Sequence, residues 1–374
     1  MNASARAVPL VHRVHFAGEN WLHFPALHPD VAINRAATAD EKGNLTFEHE
    51  GATLGAMEMA LSARKSGGLV TAQVKRVAER SSLRPHDVKV PGILVDVIVQ
   101  APDPLQTTAT AYDPANLGEL FRPLSSFRLP EFNASKVIAR RVAQELQAGW
   151  AVNIGFGISA NVPRILLEEG RHGEVTWVIE QGAVGGIPLL DFKFGCSSNA
   201  EAFVASPHKF SYFQAGGFDC SLLSFLEVDA HGSVNVSRLS APPHRGRSGG
   251  GVDITARAGK IVFSGSFNAG AKMHIEDGKP IIDKEGRVAK FVEKVDQVSF
   301  SGRRARTQRQ DITYTTERCV IRLYEAGPVV TELAPGMDLP RDVLDQAATP
   351  LRVSGALKAI DPALFVDAPF GLVL

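Results

Sequence analysis

One order of features occurs twice in this 374-residue chain, and it constrains the fold more than any single motif. Near the start stands "HPDVAINRAATADEKGNLTF", followed by "GGLVTAQVKRV". The second half has "GGFDCSLLSFLEVDAHGSVNV", followed by "RAGKIVFSGSF". Each copy reads as a strand, an acidic turn closed by glycine (Asp40 to Gly43, Asp229 to Gly232) and a short strand of alternating polarity. A further strand follows: Val70 lies 30 residues beyond Asp40, and Ile261 lies 32 beyond Asp229. Several matches in one order point to a duplicated unit.

Short apolar runs alternate with helix-like segments, the pattern of an α/β fold. Strand-like runs begin at Asp30 and cover Gly68–Val74, Gly92–Val99, Ala151–Phe156, Val175–Glu180, Ser221–Val228, Lys260–Gly265 and Cys319–Glu325. "NASKVIARRVAQELQAGW" puts Ile138, Val142 and Leu146 on one helical face, with Asn133 as cap and Gly149 as stop. "ANVPRILLEEG" places Pro163 early and Gly170 at the end, as helices do; "GATLGAMEMALSARKSGG" is a third helix. Prolines 102, 104, 114, 123 and 130 mark 101–131 as a connector between a first lobe, 1–100, and a second, 132–374. In the second lobe a helix, a glycine turn and the strand before Glu180 all precede the repeated segment. In the first, the segment begins almost at once. The expectation is two related open α/β lobes, the first incomplete, its front half either on another chain or lost by truncation.

Lys+Arg and Asp+Glu both number 40, which argues against bulk attraction to nucleic acid or an anionic membrane. Cys196, Cys220 and Cys319 lack metal-site spacing and fit a reduced cytoplasm. The N-terminal stretch lacks the apolar core of a secretory leader, and no apolar run is long enough to span a membrane. The eleven histidines form no metal-binding motif. No phosphate-binding loop or full dinucleotide fingerprint is present.

What remains is glycine and one carboxylate. In "VIEQGAVGGIP", Glu180 ends an apolar run and meets Gly182, Gly185 and Gly186. Glutamate is depleted in strands, so Glu180 either marks a solvated strand exit or is a nucleophilic or acid/base carboxylate beside space cleared for a ligand. In "NIGFGISANVPRILLEEG", Gly155 and Gly157 form either a plain tight turn or one that admits a ligand near a helix start. In "GRSGGGVDIT", Gly249, Gly250 and Gly251 form either a flexible loop or a nest of N–H groups for an oxyanion. Arg238, Arg245 and Arg247 are phosphate or carboxylate candidates or solvated loop residues. Lys193 and Lys209 are basic neighbours of a site or surface lysines, and "SGRRARTQRQ" reads as a solvated loop.

Three glycine-rich loops around one strand-end glutamate resemble the family I CoA-transferases, in the propionate/acetate (short-chain acyl) branch. The resemblance is carried by "VIEQGAVGGIP", "FGCSSNAEA", "GGFDCSLLSFLEVDAHGSVNVSR", "GGGVDIT", "KIVFSGSFNAG", "VVTELAPGMDLPRDVL" and, in the first lobe, "HPDVAINRAATADEKGNLTFEHEG" and "GGLVTAQVKRV". It extends from about residue 15 onward and implies NagB/RpiA-like lobes. It also implies a further N-terminal glycine-rich segment that nothing here matches. In that family the glutamate of E-x-G, here Glu180, is the covalent nucleophile in ping-pong exchange of CoA between a short-chain acyl-CoA and a carboxylic acid. The resemblance further implies an oxyanion site at Gly250 and Gly251. It implies a CoA groove along Gly155, Phe156, Gly157 and Ile158 with Gly182 and Gly185. CoA would be a substrate, with no resident cofactor or metal. The expected assembly is a cytoplasmic homo-oligomer, with a separate chain supplying the unmatched segment as an option. A CoA-ester hydrolase, a catalytically incomplete CoA-binding fragment and a poorly folding truncation are the alternatives.

Overall fold

The computed structural model describes residues 6–107, 110–239, 244–246 and 248–374, with the backbone alone at Phe192, His244 and Arg245. The chain divides into two compact units, the first ending at Leu117 and the second running Gly118–Leu374, so the proline-rich 101–131 stretch is shared between them. No helix among the described residues is long and apolar enough to cross a membrane.

The first unit opens with a hairpin, β1 (His12–Phe16) and β2 (Glu19–His23). Its main sheet holds β3 (Val31–Asp40), β4 (Leu45–Thr46), β5 (Leu69–Ala78) and β6 (Val97–Gln100) in the order β4-β3-β5-β6. β3, β5 and β6 are parallel. Helix α1 (Ala56–Lys65) lays Ala56, Ala60 and Ala63 on Ala32, Ala36, Val70 and Val74. On the other face Val31, Ile33, Leu69 and Val99 are exposed. The run predicted as a strand over 92–99 is a 3₁₀ turn, Gly92–Leu94, before β6.

The second unit is built on α2 (Ala134–Ala143), β7 (Ala151–Ile154), α3 (Val162–Glu168), β8 (Thr176–Val178), β9 (Ala183–Val184), β10 (Ala202–Phe203), α4 (Ser206–Gln214), β11 (Cys220–Ser224), β12 (Glu227–Asp229), β13 (Val234–Asn235), α5 (Gly251–Arg257), β14 (Lys260–Ser264), β15 (Phe291–Val292), β16 (Asp311–Thr315), β17 (Cys319–Tyr324), β18 (Gly327–Leu333) and β19 (Arg352–Ala359). Ten strands form one sheet, β10-β9-β8-β7-β11-β14-β16-β17-β18-β19, in which β8 to β16 are parallel. A parallel sheet needs cover on both faces. On one face, Ile138, Val142 and Leu146 join Ile165, Val152, Trp177 and Leu222. On the other, Phe213 and Ile254 from α4 and α5 join Val178, Ile261, Phe263 and Tyr314.

Asn133 caps α2 as expected, accepting the Lys136 N–H at 3.2 Å. The helix stops at Ala143; Gly149 adopts its left-handed conformation (φ +84°) farther on. The run Ser221–Val228 is two strands, because the chain turns at Phe225, which is buried against Phe291. β12 leaves the main sheet to pair with β13 and β15. Part of "SGRRARTQRQ" is a short helix, Gly302–Thr307, capped by Ser301.

The two acidic turns share one hydrogen-bonding pattern. Asp40 Oδ1 accepts the N–H groups of Lys42 and Asn44, each at 3.0 Å. Asp229 Oδ1 accepts those of His231 and Ser233 at 2.9 and 2.8 Å. Gly43 and Gly232 close these turns with φ +87° and +76°. Beyond each turn a second glycine, Gly92 or Gly302, abuts the carbonyl of Lys42 or His231 so closely that no Cβ fits. Recurrence of this geometry is the physical content of the repeat.

Candidate active site

The second unit's sheet places the candidate residues Gly155–Ile158 and Glu180 at the carboxyl ends of its parallel strands β7 and β8. From β7 the chain first adds β8 on one side, then returns to add β11 on the other. A ligand crevice forms where strand order reverses in this way.

The turn after β7 occupies that crevice. Gly155 N–H donates to Leu222 O at 2.7 Å, and Ser224 Oγ donates to Phe156 O at 3.1 Å. Gly157 has φ +113°, which favours glycine, and a Cβ there would also sit tightly, 3.3 Å from Ser224 Cβ. Phe156 is exposed and meets Phe194 edge-on, with ring centroids 5.8 Å apart. Ile158 opens a 3₁₀ turn, Ile158–Asn161, that runs into α3. Gly155, Phe156, Gly157 and Ile158 therefore form one continuous lip.

Glu180 sits at the tip of the tight turn joining β8 to β9. Ile179 N–H donates to Ala183 O, and Gly182 N–H to Ile179 O, each at 3.0 Å. Ser206 Oγ, at the start of α4, donates to the Glu180 backbone carbonyl at 2.8 Å. The half-buried carboxylate accepts from Asn153 Nδ2 at 3.3 Å and from Gln181 Nε2 at 3.5 Å. Among the described residues no cation pairs with it. Burial pushes the carboxyl above its ordinary value, and donation from its own backbone, Asn153 and Gln181 only partly offsets that. The arrangement suits a carboxylate that reacts rather than one that bridges.

The glycines around Glu180 serve a different purpose from the one expected. The Cβ positions of Gly182, Gly185 and Gly186 fall on Val204 O (2.5 Å), Glu201 Oε1 (2.5 Å) and Ser198 O. All three have positive φ. Their missing side chains admit the chain's own 198–204 segment and fold the loop beneath Glu180. The volume where their side chains would stand is thus taken up by the chain itself.

The loop at Gly249 also differs from expectation. Gly249 is left-handed (φ +52°), while Gly250 is helical and caps α5. Gly251 donates its N–H to Ser248 O at 3.1 Å, so it is turned inward and is not part of an open nest. A Cβ on Gly250 would run into the Phe210 ring at 2.6 Å. Phe210 lies one helical turn along α4 from Ser206, the residue bonded to Glu180, so α4 ties Gly250 and Glu180 into one neighbourhood.

Arg238 is exposed on a short strand, and the Arg245 side chain and Arg247 lie outside the described residues. Lys193 is exposed. Lys209, weighed as a surface lysine, is buried on α4, and burial lowers its ammonium to about 8. Among the described residues no group of histidine, cysteine and carboxylate side chains could hold a metal. Cys220 and Cys319 are buried and their thiols pushed up, the opposite of an activated nucleophile. Sequence reasoning missed Asn153, Ser206 and Ser221. The available signal was polar residues inside otherwise apolar strands, "VNI" and "CSLL".

A model of the coenzyme A transferase family matches residues 10–101. The caffeate CoA-transferase of Acetobacterium woodii is 42% identical over 369 residues, covering 97% of this chain and 70% of that enzyme. The acetate CoA-transferase YdiF of Escherichia coli K12 is 37% identical over 369 residues, covering 98% and 69%. The crystal structure of the YdiF acyl-CoA transferase apoenzyme from E. coli O157:H7 superposes with a TM-score of 0.90 at 36% identity, covering 98% of this chain and 69% of that one. Its thioester complex with CoA gives 0.89 with the same coverage.

Proposed function

The chain belongs to the coenzyme A transferase family, and from that premise we propose that it exchanges CoA between a short-chain acyl-CoA and a carboxylic acid through a thioester on Glu180. The observation that carries this reading is a carboxylate with no ion-pair partner among the described residues, half-buried at the carboxyl edge of a parallel sheet beside its switch point.

The Glu180 carboxylate attacks the thioester carbonyl; the C–S bond breaks and CoA leaves as thiolate, giving a mixed anhydride. The thiolate then attacks the glutamyl carbonyl. The anhydride C–O bond breaks, the first acid departs as carboxylate and Glu180 holds CoA as a thioester. An incoming carboxylate reverses both steps. No thioester is lost to water, so no ATP is needed. Partial burial strips water from Glu180 and strengthens its attack. The Gly155–Ile158 lip is the proposed CoA contact, and the backbone at Gly250 the proposed oxyanion donor, a role typically worth roughly 3–4 kcal/mol.

The test is to mix the protein with propionyl-CoA, trap with hydroxylamine or borohydride and map the adduct by peptide mass spectrometry. A mass change confined to the peptide containing Glu180 is expected, and its absence would refute the reading. CoA release in the absence of any acceptor acid would mark a hydrolase instead.

A further inference from the structure

We propose that Asn153, itself fixed by Ser221, is a positioning residue that holds the Glu180 carboxylate in the orientation needed for attack. The inference rests on Glu180 being the nucleophile.

A strand covered on both faces ordinarily carries apolar side chains. Here Asn153 on β7 and Ser221 on β11 are wholly buried and directly opposite each other in the ladder. Buried polar groups are tolerated only when satisfied. Asn153 Nδ2 donates to Val178 O at 3.0 Å and to Glu180 Oε2 at 3.3 Å, while Ser221 Oγ donates to Asn153 Oδ1 at 3.0 Å. A carbonyl only accepts, so Val178 fixes which end of the amide is NH₂. The Ser221 hydroxyl occupies the other end. Neither amide group can turn without stranding a buried partner. The second N–H is thereby aimed at one carboxylate oxygen and leaves the other to Gln181 and the crevice.

The elements packed against Glu180 present Asn153 from β7, Gln181 from its own turn and Ser206 from α4, all neutral. The nearest titratable groups on α4, His208 and Lys209, make no ion pair with Glu180. Asn153 therefore acts on Glu180 by hydrogen bonding. A hydrogen bond to the charged form favours that form, so its loss moves titration of the carboxylate upward.

The experiment is single-turnover formation of the glutamyl-CoA adduct from propionyl-CoA, followed by mass spectrometry as a function of pH. Wild type, Asn153→Ala, Ser221→Ala and Glu180→Gln are compared. Asn153→Ala is expected to lower the rate constant roughly 10- to 100-fold. Its acid limb should move up by roughly one pH unit, with half-saturating acyl-CoA nearly unchanged. Ser221→Ala, which removes one hydroxyl and keeps the fold, should move both quantities the same way by less. Should Ser221→Ala and any folded Asn153→Ala keep the wild-type rate and acid limb while Glu180→Gln forms no adduct, the positioning role is wrong and the nucleophile stands. An adduct still formed by Glu180→Gln removes both.

Discussion

A carboxylate in water is hydrated and sluggish, and Glu180 is held where hydration is incomplete. Because burial raises its carboxyl, the charged form that the proposed attack needs is lost as pH falls through a value above the ordinary glutamate range. The acid limb of kcat/KM is expected there, measured by steady-state assay across pH. Glu180→Asp shortens the reach by one methylene, so a loss of several orders of magnitude in adduct formation is expected because attack geometry is strict. Glu180 was legible in the sequence because a carboxylate abruptly ends an apolar run. The glycines beside it were legible as positions without side chains, but not in their purpose. What fills Gly182 is the Val204 carbonyl, 22 residues on, and local sequence carries no record of that contact. Asn153 was invisible because a single polar residue within a strand looks the same whether it faces solvent or a buried partner.

At the scale of elements, helix starts were readable, helix and strand ends less so, and helix faces only half so. Asn133 and Pro163 sit where capping chemistry puts them. On α2 the apolar face was clear, yet Lys136, Arg140 and Arg141 are buried too. Their partners arrive far along the chain: Arg140 donates to the carbonyls of Leu364, Val366 and Ala368, and Arg141 to Glu332. Arg140→Met takes a donor from three carbonyls, of which Val366 O keeps the Ala368 N–H, so a loss of about 2–4 kcal/mol is expected in urea unfolding. The contact between α4 and α5 makes a separate prediction. Gly250→Ala pushes a methyl into the Phe210 ring, so the ring or the helices must shift. Destabilisation of about 1–3 kcal/mol is expected by the same measurement, together with reduced turnover, since α4 also holds the Glu180 turn through Ser206.

For the whole molecule, each apolar cluster among the described residues is drawn from one unit. The cluster around Ala60, Val70 and Val74 belongs to the first unit, and those around Phe263, Ile154 and Val320 to the second. Two calorimetric transitions are expected, and Ala60→Glu, at a fully buried position, should lower only one of them. The α/β class was legible from alternating apolar runs. The ten-strand order was not, because β17 to β19 turn antiparallel and back through contacts that no local pattern encodes.

The turns at Asp40 and Asp229 give the molecule its own replicate. The Oδ1 of each aspartate accepts two backbone N–H groups, from the residues two and four places on, and Asp40 Oδ2 also accepts from Asn44 Nδ2 at 2.9 Å and from the Ser81 N–H at 3.2 Å. Asp40→Ala and Asp229→Ala thus delete the same local interaction in one polypeptide, under one solvent and one expression history. Each should weaken the transition of its own unit. The difference between the two losses would then measure what the surroundings, the further Oδ2 partners of Asp40 among them, add to a turn whose local geometry is shared.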